Sequence, residues 1–168
     1  NSLQKIKVLQ KLGYKIMEAD VLPYAHKYIF KKHIVRYLFE SGQEDKIFGH
    51  VYHKIFHGGG PGDFGIKYVN AASAVKVITE SGGKAVLAHP GQQNNFEILP
   101  ELKRAGLWGI ELKHPVHNAY WQKIVLQAAA DYGLYCTGGS DCHGSFVPTR
   151  HLGKPDVYET DIFLPGLI

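Results

Sequence analysis

Asp141 and His143 stand two positions apart in the glycine-rich run Thr137-Gly138-Gly139-Ser140-Asp141-Cys142-His143-Gly144. Side chains at i and i+2 of an extended segment point the same way, so one carboxylate and one imidazole can be aimed at a single point. Such a pair suits a divalent metal. The glycines at 138, 139 and 144 remove bulk and allow the backbone conformations that a tight turn over an ion needs. An ordinary loop, with both residues capping or hydrogen-bonding locally, would use the same residue types, and the pair alone does not choose between these readings.

Two further segments supply the same kind of chemistry. Gly83-Lys84-Ala85-Val86-Leu87-Ala88-His89-Pro90-Gly91 is an apolar strand candidate whose last residue before the Pro-Gly break is a histidine. Leu107 to Leu112 reads as another strand, carrying Glu111 and leaving through His114 and His117. These strands must be positioned by the elements between them. Helices are expected over Ala71–Ser81, stopped by Gly82-Gly83, over Phe96–Ala105, and over Tyr120–Tyr132, stopped by Gly133, before the Leu134-Tyr135-Cys136 strand. In sheets and barrels of alternating strands and helices, the carboxyl ends of neighbouring strands meet at one rim, where active sites are assembled. Three polar exits on one rim argue for a shared site.

The combination of Ala88-His89-Pro90, Gly109-Ile110-Glu111 followed by Pro115 and His117, and Gly138-Gly139-Ser140-Asp141-Cys142-His143-Gly144 resembles the carboxyl-terminal part of PHP-domain (polymerase and histidinol phosphatase) phosphoesterases. The likeness is to the bacterial branch that acts on nucleotides and RNA ends. That branch carries a helical insertion with an Arg-Pro-His-Ile-Ala type motif, and Lys31-Lys32-His33-Ile34-Val35 stands at the equivalent place with lysine for arginine. The similarity runs from Lys5 to about Gly153.

The resemblance implies a fold, a chemistry and a set of site residues. The fold class is α/β, the carboxyl-terminal part of a distorted (βα)7 barrel with a small helical insertion. The activity implied is hydrolysis of nucleotide or oligonucleotide phosphate esters by a metal-activated water, with two or three Mn, Zn or Fe ions at the strand ends. His89, Asp141 and His143 match metal ligands. His33 matches a position facing the substrate phosphate, and Lys32, Lys113 and His117 are weaker transfers to substrate binding. The alternatives are a non-catalytic PHP-like module that binds nucleic acid or a partner, and a histidinol-phosphatase-like phosphomonoesterase. The substrate class implied is a phosphorylated small molecule or a nucleic-acid end.

Family members open with an Asp-Leu-His-X-His strand and further ligands ahead of the region matched here, and none of these is present. The chain begins with Asn1, and its three βα-type strands are too few to close a barrel of seven or eight. The expectation is therefore a piece lacking roughly the first third of the protein, inactive by itself and open to self-association through its exposed sheet edge.

Composition adds bounds. The 168 residues are 45% hydrophobic and 12% aromatic, enough for a core, and no stretch approaches the ~20 apolar residues of a membrane span. Two cysteines, Cys136 and Cys142, make no disulfide framework, which favours a reducing cytoplasm. Cys142, as the middle residue of Asp-X-His, should point away from an ion. The organisation expected is a helical insertion with its connections over 1–70 and the βα units over 71–168. In the first part, helices are expected over Leu3–Leu12, Tyr28–Glu40 and Glu44–Phe56, with an extended piece over Tyr14–Ala19. The net charge of +4 is concentrated early, and His26 to His33 interleaves basic and aromatic residues. That pattern serves phosphate contact and base stacking, or equally one helix packing Ile29, Ile34 and Leu38 inward. The Gly58-Gly59-Gly60-Pro61-Gly62 loop lacks the Gly-Lys-Ser ending of a phosphate cradle. His50, His53 and His57, three and four apart, would stack on one α-helical face as a second metal site or as a polar seam.

Overall fold

The first periodic apolar segment forms α1 (Ser2–Lys11), which buries Ile6 and Leu9. The computed structural model describes residues 1–147 and 149–158. The chain divides into two compact units, one over Asn1–Lys67 and one from Tyr68 onward. Of the expected 71–168 domain, residue 148 and residues 159–168 lie outside the described residues.

The first unit departs from expectation where polar side chains capture backbone groups. The extended piece expected from Tyr14 stops early, because the Asp20 carboxylate accepts from the Met17 N–H at 2.7 Å and starts the short α2 (Glu18–Val21). The next helix, α3 (Lys31–Glu40), begins at Lys31 rather than Tyr28. Phe30 is extended there, and its N–H donates to His33 Nδ1 at 3.2 Å, a local cap that fixes the first turn. The helix expected over Glu44–Phe56 is replaced by a loop and a five-residue π-helix, Val51–Ile55. Glu44 accounts for this: its carboxylate accepts from the Val51 N–H and from the Tyr14 hydroxyl, both at 3.2 Å. Leu9, Val21, Ile34, Leu38 and Val51 reach 0% exposure in this unit's core. Each such side chain contributes about 1.5–3 kcal/mol relative to leaving it in water. Along α3 the inward face is therefore apolar as the packing reading required, while Lys32 is exposed.

The second unit follows the expected alternation. The helix α4 (Ala71–Glu80) is capped by the Asn70 side chain, which accepts from the Ser73 N–H at 3.0 Å, and ends at Gly82 with φ 79°. Next come β1 (Val86–Leu87), α5 (Pro90–Gln93), α6 (Leu99–Arg104), β2 (Gly109–Lys113), α7 (Ala119–Tyr132) and β3 (Tyr135–Gly138). Asn118 caps α7 by accepting from the Trp121 N–H at 3.2 Å, and Gly133 in the left-handed region stops it.

The three strands form one parallel sheet in the order β1-β2-β3. Central β2 buries Gly109, Ile110 and Leu112, as a strand covered on both faces must. The core gathers Ile110, Leu134, Cys136, Val125 and Ala129 at 0% exposure. Parallel pairing sends all three carboxyl ends to one edge. The β2–β3 register shifts between Glu111 and Lys113, so Lys113 faces Gly138. A Cβ on Gly138 would sit 2.7 Å from the Lys113 Cβ, which is why glycine stands there. No described helix is long and apolar enough to cross a membrane.

Candidate metal centre

Two of the three strand exits, those after β1 and β3, turn through an unusual backbone conformation. His89 has φ 38° and Asp141 φ 44°, the left-handed region that non-glycine residues seldom enter. Each costs of order 1–3 kcal/mol and persists only where the surroundings over-determine it, most often at functional sites. For His89 the surroundings include Pro90, which opens α5 immediately afterwards, and Glu111, whose Oε2 accepts from the His89 N–H at 2.7 Å.

Asp141 is the hub of the cluster. Its Oδ1 lies 3.1 Å from His143 Nε2, its Oδ2 lies 3.3 Å from His114 Nε2, and the Arg150 guanidinium pairs with the same Oδ2. The His89 and His114 rings are 5.4 Å apart between centroids. His114 is 1% exposed, and burial holds its pKa down to about 4; Glu111 opposes that shift, while His117, Arg150 and His89 add to it. The ring is therefore neutral near pH 7. Its Nδ1 accepts from the Val116 N–H at 3.3 Å, which leaves the ring proton on Nε2, facing Asp141. His114 Nε2 and His89 Nδ1 are buried atoms without a hydrogen-bond partner.

The site residues expected from the sequence fall into different situations. Asp141 and His143 are brought together, and His114 stands between Asp141 and the His89 ring. His117 is a correction. It is 4% exposed, its Nδ1–H donates to the Leu112 carbonyl at 2.9 Å, and its Nε2 accepts from the Gly91 N–H at 3.1 Å. With both ring nitrogens engaged inside the protein, it braces the β2 exit and has no atom to offer a substrate. Lys113 is half-buried at the end of β2, against Gly138. Lys32 and His33 lie on α3 of the first unit, where burial and the charges of Lys32 and Arg36 lower the His33 pKa. The second-site reading of His50, His53 and His57 loses its basis, since the π-helix breaks the α spacing and His57 instead meets Lys31 Nζ at 2.6 Å. Cys142 Sγ accepts from the Gly144 N–H at 3.4 Å, and Cys136 is core. Arg150 was missed by sequence reasoning. It follows the last strand by a dozen residues, and spacing carries no information about where a loop returns.

Imidazole nitrogen and carboxylate oxygen are the donors that Zn, Mn and Fe take, and the buried, unpartnered His89 Nδ1 is a donor atom of that kind. Among the described residues, no three His, Cys, Asp or Glu side chains are grouped closely enough to hold an ion by themselves. The donor set fits a metal as part of a centre, with Asp141 at present turned to Arg150.

No family model matches the chain. It is 39% identical over 155 residues to a phosphoribosyl 1,2-cyclic phosphate 1,2-diphosphodiesterase of Eggerthella lenta, across 91% of this chain and 59% of that protein. It is 32% identical over 133 residues to a 3',5'-nucleoside bisphosphate phosphatase of Chromobacterium violaceum, across 76% of this chain and 46% of that protein. The fold is similar to part of that of a provisionally assigned metal-dependent phosphoesterase of Bifidobacterium adolescentis, with TM-score 0.80 and 24% identity over 91% of this chain and 56% of that one. An amidohydrolase of Chromobacterium violaceum, solved with sulfate and no metal, matches with TM-score 0.72 and 25% identity over 96% of this chain and 62% of that one. The chain thus spans about half the length of the curated relatives it matches.

Proposed function

We propose that this chain, a relative of PHP-type phosphoesterases, carries the strand-end part of a site that hydrolyses phosphate esters of small phosphorylated molecules with divalent metal ions. The observation that carries the reading is the unpartnered, buried ring nitrogen of His89 on the rim that also holds Asp141, His143 and His114. A buried polar atom left unpaired costs about 1–3 kcal/mol, and such atoms in a native structure call for a ligand or a catalytic reason.

His89, Asp141 and His143 would hold the metal. Bound there, divalent ions lower the pKa of water and neutralise charge on phosphoryl oxygens. The chain's own residues prepare the ligands. Glu111 fixes the His89 backbone, and the neutral His114 presents its Nε2–H towards Asp141, as outer partners of ligating carboxylates do. Lys113, Lys32 and His33 are each proposed as candidates for phosphate contact. His33 accepts on Nδ1 from Phe30, so its neutral ring keeps an Nε2–H to donate.

The finer features belong to the same proposal. A distorted barrel is supported by the three parallel βα units, and a centre of two or three Mn, Zn or Fe ions by the mixed nitrogen and oxygen donors. Nucleotide-like substrates are supported by the ribose phosphates in the relatives' names. Two unpaired cysteines support a reducing cytoplasm. Self-association is supported by β1 and β3, each paired on one side only among the described residues.

The test is metal analysis of the full-length gene product together with phosphate release from nucleoside 3',5'-bisphosphates and ribose cyclic phosphates in Mn. Turnover that falls at least roughly a hundredfold in Asp141→Asn, with loss of bound metal, is expected. Unchanged turnover in that variant, or a wild-type protein that binds no metal, would overturn the reading.

A further inference from the structure

We propose that Arg150 is a substrate-binding residue, whose guanidinium grips the phosphoryl group of the ester and pairs with Asp141 only while that carboxylate has no metal partner. The inference rests on the phosphoesterase reading above and adds to it a residue that neither the strand pattern nor the histidine spacing points to.

The geometry begins with a loop that returns. After the short 3-10 turn Gly144–Phe146, the Arg150 N–H donates to the Val147 carbonyl at 3.0 Å, which bends the chain back to the end of β3. The side chain is 20% exposed, so it is mostly withdrawn from water while still in part reachable from it. It stays protonated at every physiological pH and is therefore a fixed positive charge. The neighbouring groups on the same carboxylate are the imidazoles of His114 and His143, which carry charge only when protonated. Arg150 thus supplies the permanent charge at Asp141.

Two roles are compatible with one ion pair. In the first, Arg150 simply positions Asp141. In the second, it occupies the carboxylate that a metal would otherwise use. Asp141 Oδ2 is shared by Arg150 and His114, and a divalent ion drawing on the same carboxylate places like charges a few ångströms apart. The carboxylate's hold on the guanidinium then weakens, and the planar fork matches the next anion to reach the rim, a phosphoryl group with its two or three oxygens. The side chain needs no long journey, because its contact with Asp141 already puts it within hydrogen-bond reach of the ligand cluster.

The roles predict opposite signs for metal binding, which makes them separable. The experiment uses the full-length gene product and its Arg150→Gln and Arg150→Lys variants. Metal affinity is read by chelator competition, and inorganic phosphate affinity by calorimetry on the metal-loaded protein. In Arg150→Gln, phosphate affinity should fall roughly ten- to a hundredfold, as loss of a charge-assisted pair implies. Metal affinity should hold or rise severalfold, and KM for a phosphate ester should rise more than kcat falls. Arg150→Lys should restore part of the phosphate affinity. Phosphate affinity unchanged in Arg150→Gln would overturn the proposal, as would a fall in metal affinity matching the fall in phosphate affinity, which is the signature of mere positioning. A wild-type protein that binds neither metal nor phosphate would instead bring down the phosphoesterase reading itself.

Discussion

A single buried imidazole sets a pH response for the second unit. His114 is ordinarily a group of pKa 6.5, held down to about 4 in the folded chain chiefly by burial. Between those values the unfolded chain binds more protons, so stability falls as pH drops from 6.5 towards 4 and the contribution is complete above 6.5. A shift of that size corresponds to roughly 3 kcal/mol. Thermal unfolding of the chelator-treated chain should show this loss, and His114→Gln, which cannot titrate, should lose less over the same window. Parallel pH profiles for the two proteins would refute it. The same residue shows how far spacing reaches. Asp141 and His143 could be read as a pair on the premise of an extended segment, whereas Asp141 lies beyond β3 at φ 44° and the two side chains meet at 3.1 Å through that turn. His114 and His117 leave one strand three residues apart with identical chemistry on paper, yet one faces Asp141 and the other is consumed by Leu112 and Gly91. The β2–β3 register shift beside Lys113 decides the local path, and no side-chain pattern announces a bulge.

Elements that owe their form to local rules were legible. The helices α4 and α7 run between an asparagine cap and a glycine stop, both visible in the residue order. The order of βα units, with polar residues at the strand exits, followed from apolar runs and punctuation alone. The segment 44–56 was not legible, because one long-range capture outweighs helical propensity: Glu44 takes the Val51 N–H, and Gly49 has no Cβ to obstruct that carboxylate, which a methyl would meet at 2.6 Å. Close approach also governs α5. A Cβ on Gly91 would come within 2.8 Å of His117 Cδ2 and 2.9 Å of the Trp121 ring, and His117 cannot retreat, since it is pinned at both nitrogens. Gly91→Ala should therefore destabilise the second unit by about 1–3 kcal/mol, the usual cost of overpacking. It should also disturb the adjoining His89. Chemical denaturation gives the first quantity, and an unaltered midpoint would show that the α5 turn relaxes at no cost.

At the scale of the whole molecule, charge is divided unevenly between the two units. The first 67 residues hold eleven Lys and Arg against six Asp and Glu, whereas the rest of the chain holds eight against nine. The ligand-type residues stand in the nearly neutral part and the proposed phosphate contacts Lys32 and His33 in the basic part. The basic excess of the first unit gives it a positive field that favours the approach of an anion. The first unit, only partly legible as helices, revealed little of its role. A basic, amphipathic helix serves packing and phosphate binding with one sequence, and the structure confirms only the packing, with Ile34 and Leu38 at 0% exposure. The discriminating variant is His33→Ala in the full-length gene product. Because the ring's Nδ1 is held by the Phe30 N–H and its charge is suppressed by burial and by Lys32 and Arg36, its remaining Nε2–H is a neutral donor. Losing that donor should reduce kcat/KM for a nucleoside bisphosphate by roughly tenfold or more while bound metal stays constant. Because Nδ1 also caps α3, His33→Asn, which can keep the cap through its side-chain oxygen, should retain the fold and still lose turnover. Equal kcat/KM for wild type and both variants would remove His33 from the phosphate contacts and leave α3 a packing helix.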